Sequence, residues 1–210
     1  MQAYSILIAC DQTYYDNWAT KLLNSIYHHN PWITLRCHVV NPSNFKKLDF
    51  VKYTTESILF TNDTSKIAYL QAARFIAAAK IPTSECIITL DADTICTREF
   101  TQEEFIKLFE KQYVLQHPKD SRWLAGLVSF GPNDFRYRYA ELLNSKPLDE
   151  WEWGRDQRVM PQLDKEFTFV PVDKKWMSIG KNKTNSAFLT LKGDQKITDK
   201  YLNIFKEYIR

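Results

Sequence analysis

Residues 86–95 read C-I-I-T-L-D-A-D-T-I, an apolar run that ends in two aspartates, Asp91 and Asp93. Alternate side chains of an extended strand point to the same face, so the two carboxylates are expected to project together where the chain leaves the sheet. Carboxylates held so close repel each other unless a cation lies beside them. Mn²⁺ and Mg²⁺ are hard cations that take oxygen ligands and keep positions for phosphate or water. The pattern therefore predicts a metal site that bridges the protein to a diphosphate; the alternative interpretation is a solvated acidic turn.

The first half of the chain alternates between predicted strands and helices. Strands are predicted at residues 4–9, 35–39, 58–60 and 86–90, one helix between Asp16, which caps it, and Pro31, and a second helix from Thr64 or Ser65 to about Lys80. This order predicts an α/β three-layer sandwich with a mostly parallel central sheet. Ligands of such sheets gather at the carboxyl ends of the strands, where Asp11 and Asp91 are expected.

The second half contains further candidate elements. Thr101 and Glu104 match a capping box at the start of a helix. Strands are predicted at residues 113–116, 124–130 and 167–172, and helices at 134–144, after Gly154 and from Thr198 onward. Neither an internal repeat nor a linker interrupts the chain, so a single domain over residues 1–210 is predicted.

Composition and charge narrow the class of protein. Of the 210 residues 44% are apolar and 25% are charged, as in soluble globular proteins, and a net charge of +3 without a basic block argues against nucleic-acid binding. The sequence has neither an apolar stretch long enough to cross a bilayer nor a recognisable leader, which predicts a cytoplasmic protein without a transmembrane segment. The four cysteines form no C-x-x-C pair and are expected to be reduced.

The end of the first predicted strand reads A-C-D-Q-T-Y over residues 9–14. Together with the later D-x-D pair, this segment resembles the nucleotide-sugar glycosyltransferases of the GT-A fold, and it is most similar to the retaining family of glycogenin and the lipopolysaccharide galactosyltransferases. The resemblance implies the Rossmann-like GT-A form of the α/β/α sandwich and a UDP-sugar donor contacted by Ala9, Asp11 and Ala92. It also implies that the Asp11 carboxylate accepts from the uracil N3–H and that Tyr14 stacks on the base. The alternative is a helix-capping Asp11 and a core Tyr14.

Two further segments add to the resemblance. Arg74 precedes the D-x-D pair at about the distance of a family arginine that contacts the donor phosphate or sugar, where a cation offsets the diphosphate charge; a surface arginine paired with an acid is the alternative. The run W-L-A-G-L at 123–127 resembles the family's N-A-G-hydrophobic segment, in which small residues, here Ala125 and Gly126, let the backbone approach the donor sugar. Leu124 stands where the family often has a sugar-binding Asn, so the identity of the donor sugar stays open.

Residues 154–157 read G-R-D-Q, which matches the position of the family's second acidic motif. The resemblance implies that Asp156 and Gln157 are the catalytic residues and act near the anomeric carbon, because a carboxylate is needed where positive charge develops on the sugar. An Asp in this place serves both retaining and inverting enzymes, so the stereochemical outcome stays open. The alternative role of Asp156 is to cap the helix that follows.

Residues 176–183 read W-M-S-I-G-K-N-K and resemble the H-x-x-G-x-x-K closing segment of the family. Lys183 is in register with the motif lysine that neutralises the diphosphate, and Lys181 lies beside it as a further donor contact. Met177 replaces the histidine that is the family's third metal ligand, and a thioether is a poor ligand for a hard cation. Weak metal binding is the expected consequence, unless Ser178 or another nearby group completes the site.

The combined pattern predicts a metal-dependent glycosyltransferase that moves a sugar from a UDP-sugar to a carbohydrate or another hydroxyl-bearing acceptor. The expected cofactor is Mn²⁺ or Mg²⁺, held by Asp91 and Asp93. Trp151 and Trp153 flank the second acidic motif, and they either stack on an acceptor sugar or are buried in the core. Two alternatives stay open: a phosphatase of the haloacid-dehalogenase type, which also uses a D-x-D pair with Mg²⁺, and a non-catalytic binder of nucleotide sugars on the same fold.

Overall fold

The computed structural model describes residues 2–117, 119–179 and 185–190. The strands of this part are β1 (Ala3–Asp11), β2 (Thr34–Val40), β3 (Val51–Glu56), β4 (Glu85–Leu90), β5 (Thr94–Cys96), β6 (Tyr113–Gln116), β7 (Trp123–Phe130), β8 (Val170–Pro171), β9 (Met177–Ile179) and β10 (Phe188–Thr190). The α-helices are α1 (Gln12–Tyr14), α2 (Thr20–His29), α3 (Asp63–Ala79), α4 (Gln102–Ile106), α5 (Phe135–Leu143), α6 (Arg155–Arg158) and α7 (Met160–Phe167). A π-helical segment, Tyr15–Ala19, joins α1 to α2, and Lys107–Phe109 and Leu148–Glu150 form 3₁₀ turns.

The larger sheet contains seven of the described strands, in the order β3-β2-β1-β4-β7-β6-β8. Strands β1 to β4 run parallel to one another, and β7 runs antiparallel to both β4 and β6. Apolar cores lie on both faces of the sheet, which explains why β1 is a nearly continuous buried run rather than an alternating one. The predicted α/β sandwich with a mostly parallel central sheet is confirmed.

Helix α3 packs on one face of the sheet through small side chains. Its buried positions include five alanines, Ala68, Ala72, Ala73, Ala77 and Ala78. Small side chains on the buried face let the helix backbone approach the strands. Asn62 caps the helix by accepting from the backbone N–H of Ser65. Arg74 on this helix reaches Asp91, directly after the carboxyl end of β4.

A second, three-stranded sheet follows directly from the D-x-D pair. It has the order β5-β10-β9, with β10 antiparallel to β5 and parallel to β9. Because β5 begins at Thr94, this sheet connects the turn that carries the two aspartates to Met177 on β9. It therefore brings residues 177–179 towards the aspartates.

Two predicted strands are wrong in position. The third strand lies at Val51–Glu56 instead of residues 58–60; its sequence V-K-Y-T-T-E is polar because β3 forms an edge of the sheet with exposed positions. Ile58 is instead held in a loop, where its backbone N–H and C=O bond to the Asn41 side chain. The strand predicted at residues 167–172 is only the short β8, because α7 runs on to Phe167 and ends at Thr168 in the left-handed region.

Two helix starts also differ from the prediction. The first helical segment begins at Gln12, capped by Asp11, rather than at Asp16, and α3 begins at Asp63. The capping box of Thr101 and Glu104 is present in full.

The four cysteines are free and buried, in agreement with the expectation that they are reduced. Within the described ranges, no helix combines the length and apolar character needed to cross a membrane. The helix predicted from Thr198 lies outside the described residues.

Arg136 on α5 is fully buried and connects β4 and β7 through hydrogen bonds to backbone carbonyls. Its guanidinium donates to five backbone carbonyls, those of Ile81, Pro82, Glu85, Phe130 and Gly131. These acceptors lie after α3, at the start of β4 and at the end of β7. A guanidinium presents several donors in a fixed planar fork, so it can serve acceptors on separate elements at once.

We expect Arg136→Lys to destabilise the protein strongly, because one ammonium group cannot reach all five carbonyls. Each buried acceptor left unpaired costs roughly 1–3 kcal/mol, so a loss of about 3 kcal/mol or more is expected in the free energy of unfolding from urea denaturation. Arg138→Lys, on the same helix but in an exposed ion-pair network with Glu141 and Glu166, is the matched control and should change little. Equal stability of the two variants would contradict this role for Arg136.

Candidate functional site

The D-x-D pair lies on a turn between β4 and β5. The backbone N–H of Thr94 donates to the carbonyl of Asp91 at 3.2 Å, which closes the turn, and the N–H of Asp91 donates to the carbonyl of Gly126 at 3.3 Å. The alternation of side chains in a strand therefore does not apply between the two aspartates. Asp91 is partly exposed, whereas Ala92 and Asp93 are buried.

Arg74 joins the two acidic motifs. Its Nη2 atom lies 2.8 Å from Oδ1 of Asp91 and 3.6 Å from Oδ2 of Asp156. The same atom donates to the carbonyl of Ala125 at 3.0 Å, and Nη1 donates to the carbonyl of Gln71 at 2.9 Å. Arg74 is only 5% exposed. One buried guanidinium thus connects α3, the β4–β5 turn, β7 and α6, a group of residues that we call the Arg74 cluster (Arg74, Asp91, Ala125 and Asp156).

The carboxyl group of Asp156 has a raised pKa. Burial raises its pKa from 3.8 to about 6; the positive charge of Arg74 opposes that rise and the negative charge of Asp91 adds to it. The low polarity around the carboxyl group disfavours its ionised form. A carboxylate with a pKa near 6 lies within the range that suits proton transfer and charge stabilisation near neutral pH.

Gly154 directs Asp156 into the cluster. It adopts φ 75° as the residue before α6, a conformation that favours glycine, and its N–H donates to the side chain of Gln71 at 3.1 Å. Tyr139 also holds α6 in place, because its hydroxyl donates to the carbonyl of Asp156 at 2.6 Å. Asp156 is therefore the second residue of α6 rather than its cap, and Gln157 follows it on the outer side of the helix.

Gly126 provides room for the Asp91 carboxylate. A β-carbon at this position would lie 3.1 Å from Oδ2 of Asp91 and 3.1 Å from the Leu115 side chain, tighter than nine in ten real β-carbon contacts, so a larger residue would require these side chains to shift. The methyl group of Met177 lies 3.5 Å from the same point. Glycine thus leaves room for the Asp91 carboxylate, and the Met177 side chain approaches the same space.

The donor set suits a hard divalent cation only in part. Asp91 and Asp93 supply carboxylate oxygens, which Mg²⁺ and Mn²⁺ prefer, and Mg²⁺ is commonly held by one or two carboxylates together with substrate phosphates. Across residues 2–117, 119–179 and 185–190, His, Cys, Asp and Glu form no group of three or more that would hold a metal without such a ligand. Two carboxylates alone would hold such a cation only if a further ligand, such as a bound diphosphate, completed its coordination.

A cleft of about 370 Å³ opens beside the ends of β1 and β2. Its walls include Asp11, Phe60 and Lys66. Gln12 shapes the rim, because its side-chain oxygen accepts from the backbone N–H groups of Ser43 at 2.7 Å and Asn44 at 3.1 Å. The cleft lies at the carboxyl edge of the parallel strands, where ligands of such sheets bind.

The predicted nucleotide contacts are distributed unevenly around this cleft. Asp11 lines it and also caps α1 by accepting from the N–H of Tyr14 at 2.8 Å. Tyr14 is exposed and lies outside the cleft lining, whereas the aromatic ring that does line it belongs to Phe60. Ala9 is buried in β1. Nothing in the local sequence around Phe60 distinguishes it, since the loop that carries it is held by the bonds between Asn41 and Ile58, two residues earlier.

The other predicted site residues are placed as follows. Ala125 and Gly126 meet Arg74 and Asp91 through the contacts given above, and Gln157 lies in the wall of a second cleft next to Asp156. Lys181 and Lys183 lie outside the described residues. No sequence motif indicates Gln71 or Tyr139. Both hold α6 in place through contacts with residues distant in the chain, since Gln71 bonds to Gly154 and Tyr139 bonds to Asp156.

Comparison with known proteins identifies the fold. No protein-family model and no curated protein sequence matches the chain. Similar solved structures include the WbbM bifunctional glycosyltransferase (TM-score 0.65, 13% identity, 99% of this chain and 50% of that chain), the galactosyltransferase LgtC in complex with donor and acceptor sugar analogs (0.61, 12%, 98% and 95%), and the glycosyltransferase GlyE of Streptococcus pneumoniae TIGR4 (0.60, 11%, 97% and 63%).

This chain has the GT-A glycosyltransferase fold. It spans half of WbbM and less than two thirds of GlyE, but nearly all of LgtC. At these identities the likeness establishes the fold, and the activity has to be argued from the site itself.

We expect Asp156→Asn to stabilise the protein at neutral pH. In the wild type the folded state keeps the Asp156 proton up to a pH of about 6, whereas the unfolded chain loses it near 3.8. The charged carboxylate therefore costs roughly 3 kcal/mol of folding stability well above pH 6, and almost nothing below about pH 3, where both states are protonated. Urea denaturation at pH 4 and pH 7 should show that the variant gains much more stability relative to wild type at the higher pH.

The exposed Asp149 provides the matched control, since Asp149→Asn should leave the difference between the two pH values unchanged. If Asp156→Asn were instead less stable than wild type at pH 7, attraction between Asp156 and Arg74 would outweigh the cost of burial.

Proposed function

We propose that this protein is a glycosyltransferase that transfers a sugar from a UDP-sugar to a hydroxyl-bearing acceptor, with the Arg74 cluster as its centre. The observation that carries the proposal is the ion-pair bridge from Asp91 through Arg74 to Asp156 on a GT-A fold. It brings together the two acidic motifs that a donor site of this kind requires, although they are far apart in sequence.

The nucleoside of the donor is assigned to the cleft between β1 and β2. Asp11 supplies an acceptor for the uracil N3–H, and Phe60 supplies an aromatic wall on which a base can stack. Lys66 adds a positive charge to the same cleft. The diphosphate would then extend along the edge of the sheet towards Asp91.

Asp91 and Asp93 are the proposed ligands of a Mn²⁺ or Mg²⁺ ion. When bound, the metal would neutralise charge on the diphosphate and so make it a better leaving group. Arg74 keeps the Asp91 carboxylate in position by an ion pair at 2.8 Å. Lys181 and Lys183 are proposed, from the sequence pattern alone, as further positive charges on the diphosphate.

The reaction follows from the chemistry of the donor. The bond between the anomeric carbon and the diphosphate oxygen breaks, and the diphosphate keeps the electron pair. A bond forms between that carbon and the acceptor hydroxyl oxygen, which releases one proton, so the products are the glycosylated acceptor, UDP and H⁺. The Asp156 carboxylate stabilises the positive charge that develops on the sugar ring, and Gln157 contacts the sugar from the adjacent position.

The sequence pattern is also compatible with two other functions. A phosphatase of the haloacid-dehalogenase type would use the first aspartate of the pair as a nucleophile, but Asp91 is held by Arg74, and such an activity gives Asp11 and Asp156 no role. A non-catalytic binder is favoured by the single feature of Met177 in place of a ligand. The raised pKa of Asp156 argues for a catalytic site, because buried and perturbed carboxylates cost stability.

Turnover tests the proposal. We expect the wild type with Mn²⁺ to release UDP from at least one of UDP-glucose, UDP-galactose and UDP-N-acetylglucosamine when methyl pyranosides are offered as acceptors. Asp156→Asn should lower this rate by about 10²-fold or more, because it removes the charge that acts on the sugar. Asp149→Asn should keep the wild-type rate.

Two further measurements on the same protein distinguish the phosphatase and the non-catalytic binder from the transferase. Hydrolysis of 4-nitrophenyl phosphate without release of UDP from any donor would establish the phosphatase. UDP binding without turnover of any donor would establish the non-catalytic binder.

A further inference from the structure

A second cleft, of about 310 Å³, is lined in part by Gly154 and Gln157, which lie on either side of Asp156 in the sequence. Trp123 and Trp153 form its aromatic walls, Gln157 lies in the wall nearest the cluster, and Arg122 and Arg158 flank it. The volume is within the range of small-molecule sites. We call this cavity the tryptophan cleft.

Trp153 is exposed to an extent that packing does not explain. It is 65% exposed, whereas Trp151, two residues earlier, is 2% exposed and belongs to the core next to α3 and α5. The alternative that both tryptophans are buried is therefore wrong for Trp153. Leaving so much aromatic surface in water forgoes the stabilisation that burial would give, so the side chain is available to stack on a ligand.

Trp123 is a rigid wall of the cleft. Its indole N–H donates to Oδ2 of Asp164 at 2.9 Å, and its ring packs edge-on against Phe169. Asp164 also accepts from the N–H of Phe169 at 2.7 Å. A wall fixed by these contacts loses little entropy when a ligand binds.

The tryptophan cleft is continuous with the Arg74 cluster. Gln157 in its wall follows Asp156 directly in α6, and Trp123 begins the strand that leads to Ala125 and Gly126 beside Arg74 and Asp91. A molecule in the cleft would therefore lie near the carboxylate assigned to the anomeric centre, in a cavity whose lining shares no residue with that of the nucleotide cleft. That is where an attacking hydroxyl group has to be held.

The charges around the cleft favour a neutral ligand. Arg122 is paired with Asp120, and Arg158 is paired with Glu152, so neither guanidinium adds an uncompensated positive charge to the rim. Their remaining N–H groups and the Gln157 amide can bond to hydroxyl groups. An aromatic wall beside neutral hydrogen-bonding groups matches a sugar ring, which has an apolar face and hydroxyl groups at its edge.

We propose that the tryptophan cleft binds a pyranose ring of the carbohydrate acceptor, with Trp153 stacked on its apolar face. This inference rests on the proposed function for the role of the sugar as acceptor. It commits the protein to a carbohydrate, rather than a protein side chain or a lipid, as the molecule that receives the transferred sugar.

The test measures binding of four methyl pyranosides (the glucoside, galactoside, mannoside and N-acetylglucosaminide) by saturation-transfer NMR in the presence of UDP and Mn²⁺. We expect at least one to bind the wild type, and Trp153→Ala to weaken its affinity by about tenfold because the stacking surface is lost. Trp153→Phe should retain most of the affinity. Tyr137→Ala removes an exposed aromatic ring on α5, outside the lining of the cleft, and should retain the full affinity.

UDP affinity, measured on the same samples, distinguishes the two proposals. Wild-type binding of UDP without binding of any of the four pyranosides, or pyranoside binding that Trp153→Ala leaves unchanged, would overturn the acceptor cleft and leave the donor site standing. Pyranoside binding that depends on Trp153, in a protein that does not bind UDP, would support the cleft as a carbohydrate site and overturn the transferase.

Discussion

The site depends on the need to compensate one buried positive charge. The guanidinium of Arg74 is removed from water, and an isolated buried charge is too costly to persist without partners. Its partners are the Asp91 carboxylate, the Asp156 carboxylate and two backbone carbonyls, which come from four different elements. Because these partners belong to different elements, the ion pairs and hydrogen bonds of Arg74 help to hold α3, the β4–β5 turn, β7 and α6 relative to one another. The alanine-rich face of α3 makes this possible by letting the helix lie close to the strands.

The sequence was most informative where chemistry and local structure coincide. The apolar run before Asp91 predicts β4 well, and the register of Arg74 with the two acidic motifs agrees with their meeting in space. Prediction failed where long-range contacts decide the outcome. The polar edge strand β3 lacks the apolar pattern of a buried strand, and the loop that presents Phe60 depends on bonds to Asn41. Neither the five carbonyls bound by Arg136 nor the anchoring of Gly154 by Gln71 leaves any signal in the spacing of residues.

In the proposed donor site, Met177 stands where the resembled family has a metal-ligating histidine. A thioether contributes no charge and little affinity for a hard cation, so the proposed metal would depend more strongly on the diphosphate. Arg74 already supplies a permanent positive charge within 2.8 Å of Asp91. On this account metal and nucleotide bind together, each providing ligands or charge that the other needs.

Calorimetric titration of UDP, with and without Mn²⁺, tests this account most directly, because it requires neither the donor sugar nor the acceptor. The account predicts that UDP binds more tightly when Mn²⁺ is present and that Asp91→Asn removes the difference while the thermal unfolding transition is retained. Binding of UDP with the same affinity in the presence and absence of Mn²⁺, or an unchanged metal effect in Asp91→Asn, would contradict the assignment of the metal site. Absence of UDP binding under both conditions would contradict the donor site itself.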